Sequence, residues 1–101
     1  MIVLHGTIPI DPNRRDEALE LMRELAEHSR EEEGIVDYQV ATDIDDPNLF
    51  RVTEQYEDES AFDAHGESDH FTEFEAKLPE LLAGEPDVIR FDVDSVSDVE
   101  L

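Results

Sequence analysis

The segment Leu49–Phe74 reads LFRVTEQYEDESAFDAHGESDHFTEF, and its hydrophobic period changes partway along. The first part alternates in the manner of a β-strand, with the acid Glu54 placed among apolar positions. Asp58 is a residue type that caps helix N-termini, and two histidines and three phenylalanines follow it. We therefore expect a strand that leads into a helical region holding most of the chemically reactive side chains.

The flanking sequence predicts three further strands and a long helix. Alternating apolar residues indicate strands at Ile2–Ile10, at Ile35–Ile44 and from Val88 to about Val96. After the first strand, apolar residues recur at helical spacing along one stripe, which predicts a helix up to about Glu33 with Gly34 after it. These stripe residues are Ala18, Leu19, Met22, Leu25 and Ala26.

Beyond Asp58 the sequence predicts two short helices. Gly66 is expected to interrupt the first, and Ser68 or Asp69 to cap the second. The resulting order is β-α-β-β-α-β, which is typical of an α+β, ferredoxin-like split βαβ fold with helices on one face of a four-stranded antiparallel sheet. We expect residues 1–96 to form this domain and residues 97–101 an acidic C-terminal tail.

Alternation along the strands predicts which sheet face the helices cover. The expected covered face comprises Ile2, Leu4, Ile8, Val36, Tyr38, Val40, Phe50, Val52, Tyr56, Ile89, Phe91 and Val93. The opposite face would hold Val3, His5, Ile35, Leu49, Arg51, Val88 and Arg90. Because that face is apolar for so acidic a protein, we predict a homodimer joined through it, with His5 at the interface. A solvated open sheet is the alternative.

Composition restricts the partners and the setting. The chain has 101 residues, 29 acids against 7 bases and a formal net charge of −22. Acids in every predicted element and a scarcity of lysine are typical of folded cytoplasmic proteins from salt-loving organisms, where salt screens the repulsion. The shortage of cations argues against nucleic acid as a partner. Without cysteines, a basic leader or a long apolar run, we expect a cytoplasmic protein that does not associate with membranes.

One set of residues resembles the antibiotic biosynthesis monooxygenase (ABM) family across residues 2–95. The matching positions are Gly34, Tyr38, Asp46, Pro47, Phe50, Glu54, Tyr56, Asp58, Ala61, His65, Ser68, His70 and Phe71. The resemblance implies a dimeric ferredoxin-like barrel with a pocket between sheet and helices in each subunit. Many members are oxygenases that use neither metal nor flavin, and others act on haem or signalling molecules.

Two departures from the family pattern concern the chemistry. Tyr56 occupies a position that is commonly tryptophan in the family. Members that oxidise polyketides use an active-site asparagine, whereas Asn13 and Asn48 of this chain fall in predicted turns.

His65 and Glu54 are the candidate catalytic residues. A neutral imidazole at His65 could remove a proton from a hydroquinone hydroxyl. Glu54, on the covered face of its strand, would have a raised pKa and would orient or tune that histidine. The alternative is that both are structural, with the acid bonded to a helix N-terminus or to His65.

Aromatic residues in the same region could bind a flat ring. The candidate substrate-binding residues are Tyr38, Tyr56, Phe62, His70, Phe71 and Phe74. His65 and His70 are five positions apart across a helix break, which differs from the spacing of a helical metal site, so we expect no metal. No dinucleotide or phosphate-binding motif is present, and we expect no cofactor.

The sequence therefore predicts a cofactor-independent monooxygenase that oxidises a small quinol or phenolic aromatic with dioxygen. Two alternatives remain open at this point. One is a non-catalytic dimeric module that binds a metabolite or serves a stress response. The other is a haem-binding protein with His65 or His70 as axial ligand.

Overall fold

Four antiparallel strands form one sheet in the computed structural model, which describes residues 1–101. They are β1 (Ile2–Pro9), β2 (Ile35–Thr42), β3 (Leu49–Tyr56) and β4 (Asp87–Asp92), and their order across the sheet is β2-β3-β1-β4. Helices α1 (Arg15–Arg30), α2 (Glu59–Glu67) and α3 (Asp69–Lys77) complete the element order together with two short 3₁₀ helices, Pro12–Arg14 and Leu78–Leu81. The ferredoxin-like α+β fold expected from the sequence is confirmed.

Side-chain caps fix the N-termini of α2 and α3. Asp58 accepts a hydrogen bond from the Ala61 amide at 2.9 Å and starts α2, as its residue type predicts. Ser68 accepts from the Phe71 amide at 3.3 Å and starts α3. Since Ser68 is in an extended conformation, the helical break falls there and not at Gly66, where the sequence placed it.

The connection after α1 is a turn that the sequence analysis placed inside the helix. Helix α1 ends at Arg30 rather than near Glu33, and the chain turns before entering β2. Gly34 has a φ of 85°, a left-handed conformation that L-residues with a side chain disfavour. Its carbonyl accepts a hydrogen bond from the Glu57 amide at 2.8 Å, which ties this turn to the end of β3.

The main core lies between the sheet and the helices. Phe50 and Tyr56 of β3 are fully buried, and Met22, Leu25 and Ala26 of α1 cover the strands beside them. None of the helices combines the length and the apolar character needed to cross a bilayer.

The two faces of strand β4 are exchanged relative to the prediction. Leu4 of β1 pairs with Arg90, and His5 pairs with Ile89, so Arg90 lies on the helix-covered face and Ile89 on the uncovered one. The prediction failed because both residue sets of this edge strand contain apolar side chains, so alternation alone did not specify the face. β4 ends at Asp92, short of the predicted Val96, and residues 93–101 form neither helix nor strand.

A β-bulge at the start of β2 exchanges the faces on which Ile35 and Val36 lie. The register shifts between Ile35 and Asp37, so Ile35 pairs with Tyr56 and packs against the core while Val36 is half exposed. The sequence analysis had assigned these two residues to the opposite faces. An extra residue in a bulge inverts the alternation, and a count in steps of two does not detect it.

Candidate active site

A cavity of about 460 Å³ opens between the sheet and the two short helices. Its walls are mainly apolar, with contributions from β1, β3, α1, α2 and α3. The volume falls in the range of small-molecule sites in proteins. Six of the predicted site residues line it together: Tyr38, Glu54, Phe62, His65, Phe71 and Phe74.

His65 is the buried polar residue of this cavity. It is 4% exposed, and its Nδ1 atom lies 2.8 Å from Oε2 of Glu32. Its Nε2 atom is buried and has no hydrogen-bond partner, and the nearest carboxylate oxygen, on Glu54, is 4.0 Å away. With the proton on Nδ1 donated to Glu32, Nε2 carries an unpaired lone pair on the side of Glu54, a residue of the cavity lining.

The end of α2 and three aromatic rings fix the position of His65. The Ser68 hydroxyl donates to the His65 carbonyl at 2.6 Å, so the residue that caps α3 also holds the turn behind the imidazole. The rings of Tyr38, Tyr56 and Phe71 surround the imidazole, with centroids 5.1 to 5.6 Å from its own. A ring so enclosed has little freedom to rotate, which is the preorganisation that a catalytic base requires.

Glu54 is a buried carboxylate on the cavity wall, as predicted. Burial raises its pKa above the ordinary value, while the hydrogen bond from Tyr56 and the proximity of His65 act in the opposite direction. The Tyr56 hydroxyl donates to Glu54 Oε1 at 2.5 Å. Burial and the neighbouring Glu54 charge together raise the pKa of Tyr56, so its hydroxyl stays protonated as a donor.

Two of the predicted substrate-binding residues do not line the cavity. Tyr56 is fully buried behind Glu54, and its contact with the cavity is indirect. His70 lies on the outer side of His65, with Nε2 2.7 Å from Oε2 of Glu32 and its ring stacked on His28 at a centroid distance of 5.6 Å.

The sequence analysis missed two residues of this region. Glu32 contacts both histidines, yet it is the middle residue of a run of three glutamates, and nothing in the sequence distinguishes it from the other two. Arg90 was placed on the wrong sheet face. Its guanidinium bonds to Glu59 at 2.7 Å and lies 5.1 Å from the ring centre of Phe62, a cavity residue.

Comparison with protein families identifies this arrangement. The model of the family described as antibiotic biosynthesis monooxygenase matches residues 1–77, which include every residue of the His65 and Glu54 cluster. The chain belongs to this family. The membership implied by the sequence motif is thereby confirmed.

The chain is also similar to individual proteins and solved structures. A Bacillus subtilis (strain 168) protein named "Putative monooxygenase YcnE" is 40% identical over 90 residues, which span 89% of this chain and 95% of the relative. A crystal structure described as an antibiotic biosynthesis monooxygenase is 28% identical, with a TM-score of 0.87 and coverage of 94% and 100%. A conserved protein from Methanosarcina mazei Go1 is 30% identical, with a TM-score of 0.85 and coverage of 89% of each chain.

Proposed function

We propose that this ABM protein is a monooxygenase that oxidises a small quinol or phenol with dioxygen. The main observation behind the proposal is the unpaired Nε2 atom of His65, a buried base next to Glu54 in the lining of an apolar cavity large enough for a small aromatic molecule. Family membership and the name of the Bacillus relative support the class of reaction. The substrate class rests on the chemistry of the cavity.

The base acts on the hydroxyl of the substrate. His65 Nε2 takes the phenolic proton, and the resulting imidazolium is stabilised through Nδ1–H by the Glu32 carboxylate 2.8 Å away. The electron-rich anion reacts with dioxygen, which enters the apolar cavity readily. For a hydroquinone the balance is hydroquinone plus dioxygen giving hydroxyquinone plus water, so the substrate supplies all the electrons.

Glu54 contributes to the polarity of the same wall. Burial raises its pKa, so it stays protonated to a higher pH than an exposed glutamate does. Such a group can bind a second oxygen of a quinol, while the rings of Phe62, Phe71 and Phe74 contact the plane of the substrate.

Oxygen uptake tests the proposal. The protein is assayed with a panel of hydroquinones and anthrone-like phenols in concentrated KCl, against an autoxidation blank. We expect uptake above the blank that falls by about a hundredfold or more in His65→Ala, because a general base contributes about that much. Asp98→Ala, which removes an exposed polar side chain from the C-terminal tail, is the control and should retain activity. Uptake equal to the blank for both the wild type and His65→Ala would contradict an oxygenase. A Soret band in the purified protein would favour haem binding.

The uncovered sheet face supports a homodimer as part of this proposal. Ile89, Phe91 and Val36 are 43 to 50% exposed on the face opposite the helices. Phe91 packs against His5 with ring centroids 5.1 Å apart, so the two rings lie together on the edge strand β4 and its neighbour β1. A second copy of the chain is the partner that we expect to cover this face.

Light scattering after size-exclusion chromatography tests the dimer. Phe91→Ser should shift the mass from dimer towards monomer, because it removes the largest exposed side chain of the face. Val99→Ser, which makes the matched change in the exposed C-terminal tail, should leave the mass unchanged. A wild-type protein that is monomeric at high concentration would contradict the proposal.

A further inference from the structure

Three potential ligand atoms converge on the outer side of His65, away from the cavity. They are Nδ1 of His65, Nε2 of His70 and Oε2 of Glu32, and all lie within 4.8 Å of one another. Both imidazole nitrogens point at the same carboxylate oxygen, at 2.8 and 2.7 Å. We infer that these residues form a binding site for one divalent transition-metal cation. This departs from the expectation that the chain binds no metal. His65 that ligates through Nδ1 carries its proton on Nε2, so the metal-bound state excludes the state in which Nε2 acts as a base.

The backbone brings these residues together through the helical break. His65 is in the last turn of α2 and His70 is in the first turn of α3. Ser68 between them has an extended backbone, so α3 does not continue along the axis of α2. A spacing of five residues therefore places both imidazoles on one side, as an i, i+4 spacing does within a single helix. Glu32 enters from the turn before Gly34, so the site joins two distant parts of the chain.

The chemistry of the donors selects the class of metal. Two imidazole nitrogens with one carboxylate suit zinc, cobalt, nickel, copper or iron, whereas calcium and magnesium prefer oxygen ligands throughout. Three protein ligands leave at least one coordination position for water or another small ligand. The site lies in a protein with a net charge of −22, whose field concentrates cations near the surface.

Occupancy of the site requires only short movements. Zinc–nitrogen and zinc–oxygen bonds are about 2.0–2.2 Å long, so a metal among the three atoms would replace the present hydrogen bonds to the carboxylate. The proton on each neutral imidazole would move from the ligating nitrogen to the other ring nitrogen, so that both histidines ligate in the neutral form. The side chain of His70 is 22% exposed, which gives the ion a route from solvent.

A hydrogen-bonded cluster without metal affinity is the competing explanation, and cobalt and zinc titrations distinguish the two. The full-length protein is stripped with a chelator, desalted into concentrated KCl and titrated with CoCl₂ while visible ligand-field absorption is recorded. ZnCl₂ is titrated in parallel by isothermal calorimetry. We expect one equivalent of metal to bind. The bound cobalt should give the visible absorption of a four- or five-coordinate ion, and added zinc should abolish it by displacing the cobalt.

Variants locate the bound ion. His70→Ala and Glu32→Gln should each weaken zinc binding by about tenfold or more, since even the partners that orient metal ligands are worth that much. His70 is partly exposed on a helix, so its alanine variant should fold, which circular dichroism verifies. Glu100→Gln, which makes the same change in the exposed C-terminal tail, should bind as the wild type does. Weak binding of several equivalents that both ligand variants retain, or the absence of cobalt absorption, would overturn the assignment.

Discussion

The carboxylate of Glu32 lies 2.8 Å from Nδ1 of His65 and connects the turn after α1 to the end of α2. The contact specifies which imidazole nitrogen carries the proton, because a carboxylate only accepts. It leaves Nε2 on the cavity side without a partner. Glu32 does not line the cavity, yet its contact with His65 determines that the Nε2 atom is the unprotonated one.

Glu32→Gln should reduce turnover with little effect on substrate binding. The amide can still accept the hydrogen bond, but it lacks the charge that stabilises the imidazolium. Charge-assisted hydrogen bonds contribute about 1.5–3 kcal/mol, so kcat should fall about ten- to a hundredfold. Because Glu32 does not line the cavity, KM should change little. The control is Glu31→Gln, an exposed neighbour; an equal loss in both variants, or a change confined to KM, would contradict the role.

Tyr56→Phe should destabilise the fold because it leaves Glu54 without its donor. The hydroxyl bonds to the carboxylate at 2.5 Å inside the core, and Tyr56 is fully buried. A buried acceptor left without a partner costs about 1–3 kcal/mol. Urea unfolding of both proteins in the same concentrated salt measures the loss. A free energy of unfolding equal to that of the wild type would show that water or another donor replaces the tyrosine.

Glu54 should make stability depend on pH in a direction opposite to that of a salt-bridged acid. Its folded pKa is raised by burial, so the folded state holds the proton more tightly than the unfolded chain does. Stability from this group is therefore present below the unfolded pKa and declines as pH rises through the folded value. We expect Glu54→Gln to gain stability relative to the wild type across that window.

The measurement for Glu54 is a series of unfolding curves against pH for both proteins. Glu100→Gln, in the exposed tail, removes a charge of the same sign without removing a buried one. Subtracting its profile isolates the buried group from the general repulsion among the acids. A Glu54→Gln profile parallel to that of Glu100→Gln would contradict the raised pKa.

The sequence predicted those parts of the structure that depend on local pattern. Helical caps at Asp58 and Ser68 follow from residue type, and β1 and β3 follow from alternation, since both lie at the centre of the sheet. Local pattern did not specify the edges. Strand β4 has apolar residues on both of its faces, so alternation does not show which face is covered. Its pairing with β1 places Arg90 on the side of the helices.

Candidate site residues divide in the same way. His65 and Glu54 stood out because each is a polar residue in an apolar pattern, and both line the cavity. Glu32 lacked such contrast among its acidic neighbours, and its contact with His65 spans 33 positions along the chain. Long-range proximity of this kind depends on how the turn before Gly34 packs, which no periodicity encodes.

Gly34→Ala should test that turn directly. A Cβ atom at Gly34 would lie 2.6 Å from the Cβ of Ala61, and the residue has a φ of 85°. Overpacking and the left-handed conformation together should cost about 2–4 kcal/mol. Gly66→Ala is the matched control, because a Cβ there meets nothing within 4 Å and alanine favours a helix, so stability should rise by up to about 1 kcal/mol. Equal effects in thermal unfolding would contradict the role of the turn.

Gly6 should control the size of the substrate that the cavity accepts. It lines the cavity from β1, and a Cβ atom there would lie 3.6 Å from Val88 and 3.9 Å from Val52, both ordinary contacts. Gly6→Ala should therefore fold and gain about 0.5–1 kcal/mol, because glycine weakens a strand interior. Gly6→Leu places a larger side chain in the space that a ring would occupy.

The expected result for Gly6→Leu is a loss of activity that grows with the width of the substrate. Each methylene-sized change in an apolar pocket alters discrimination by about 1–3 kcal/mol, so kcat/KM for an anthrone-like phenol should fall at least about tenfold. A single-ring hydroquinone serves as the internal control and should lose less. If kcat/KM falls equally for both substrates while the protein remains folded, the substitution has displaced the strand, and the effect is not a selective loss of space in the cavity. Unchanged kcat/KM for both would place the reaction outside this cavity.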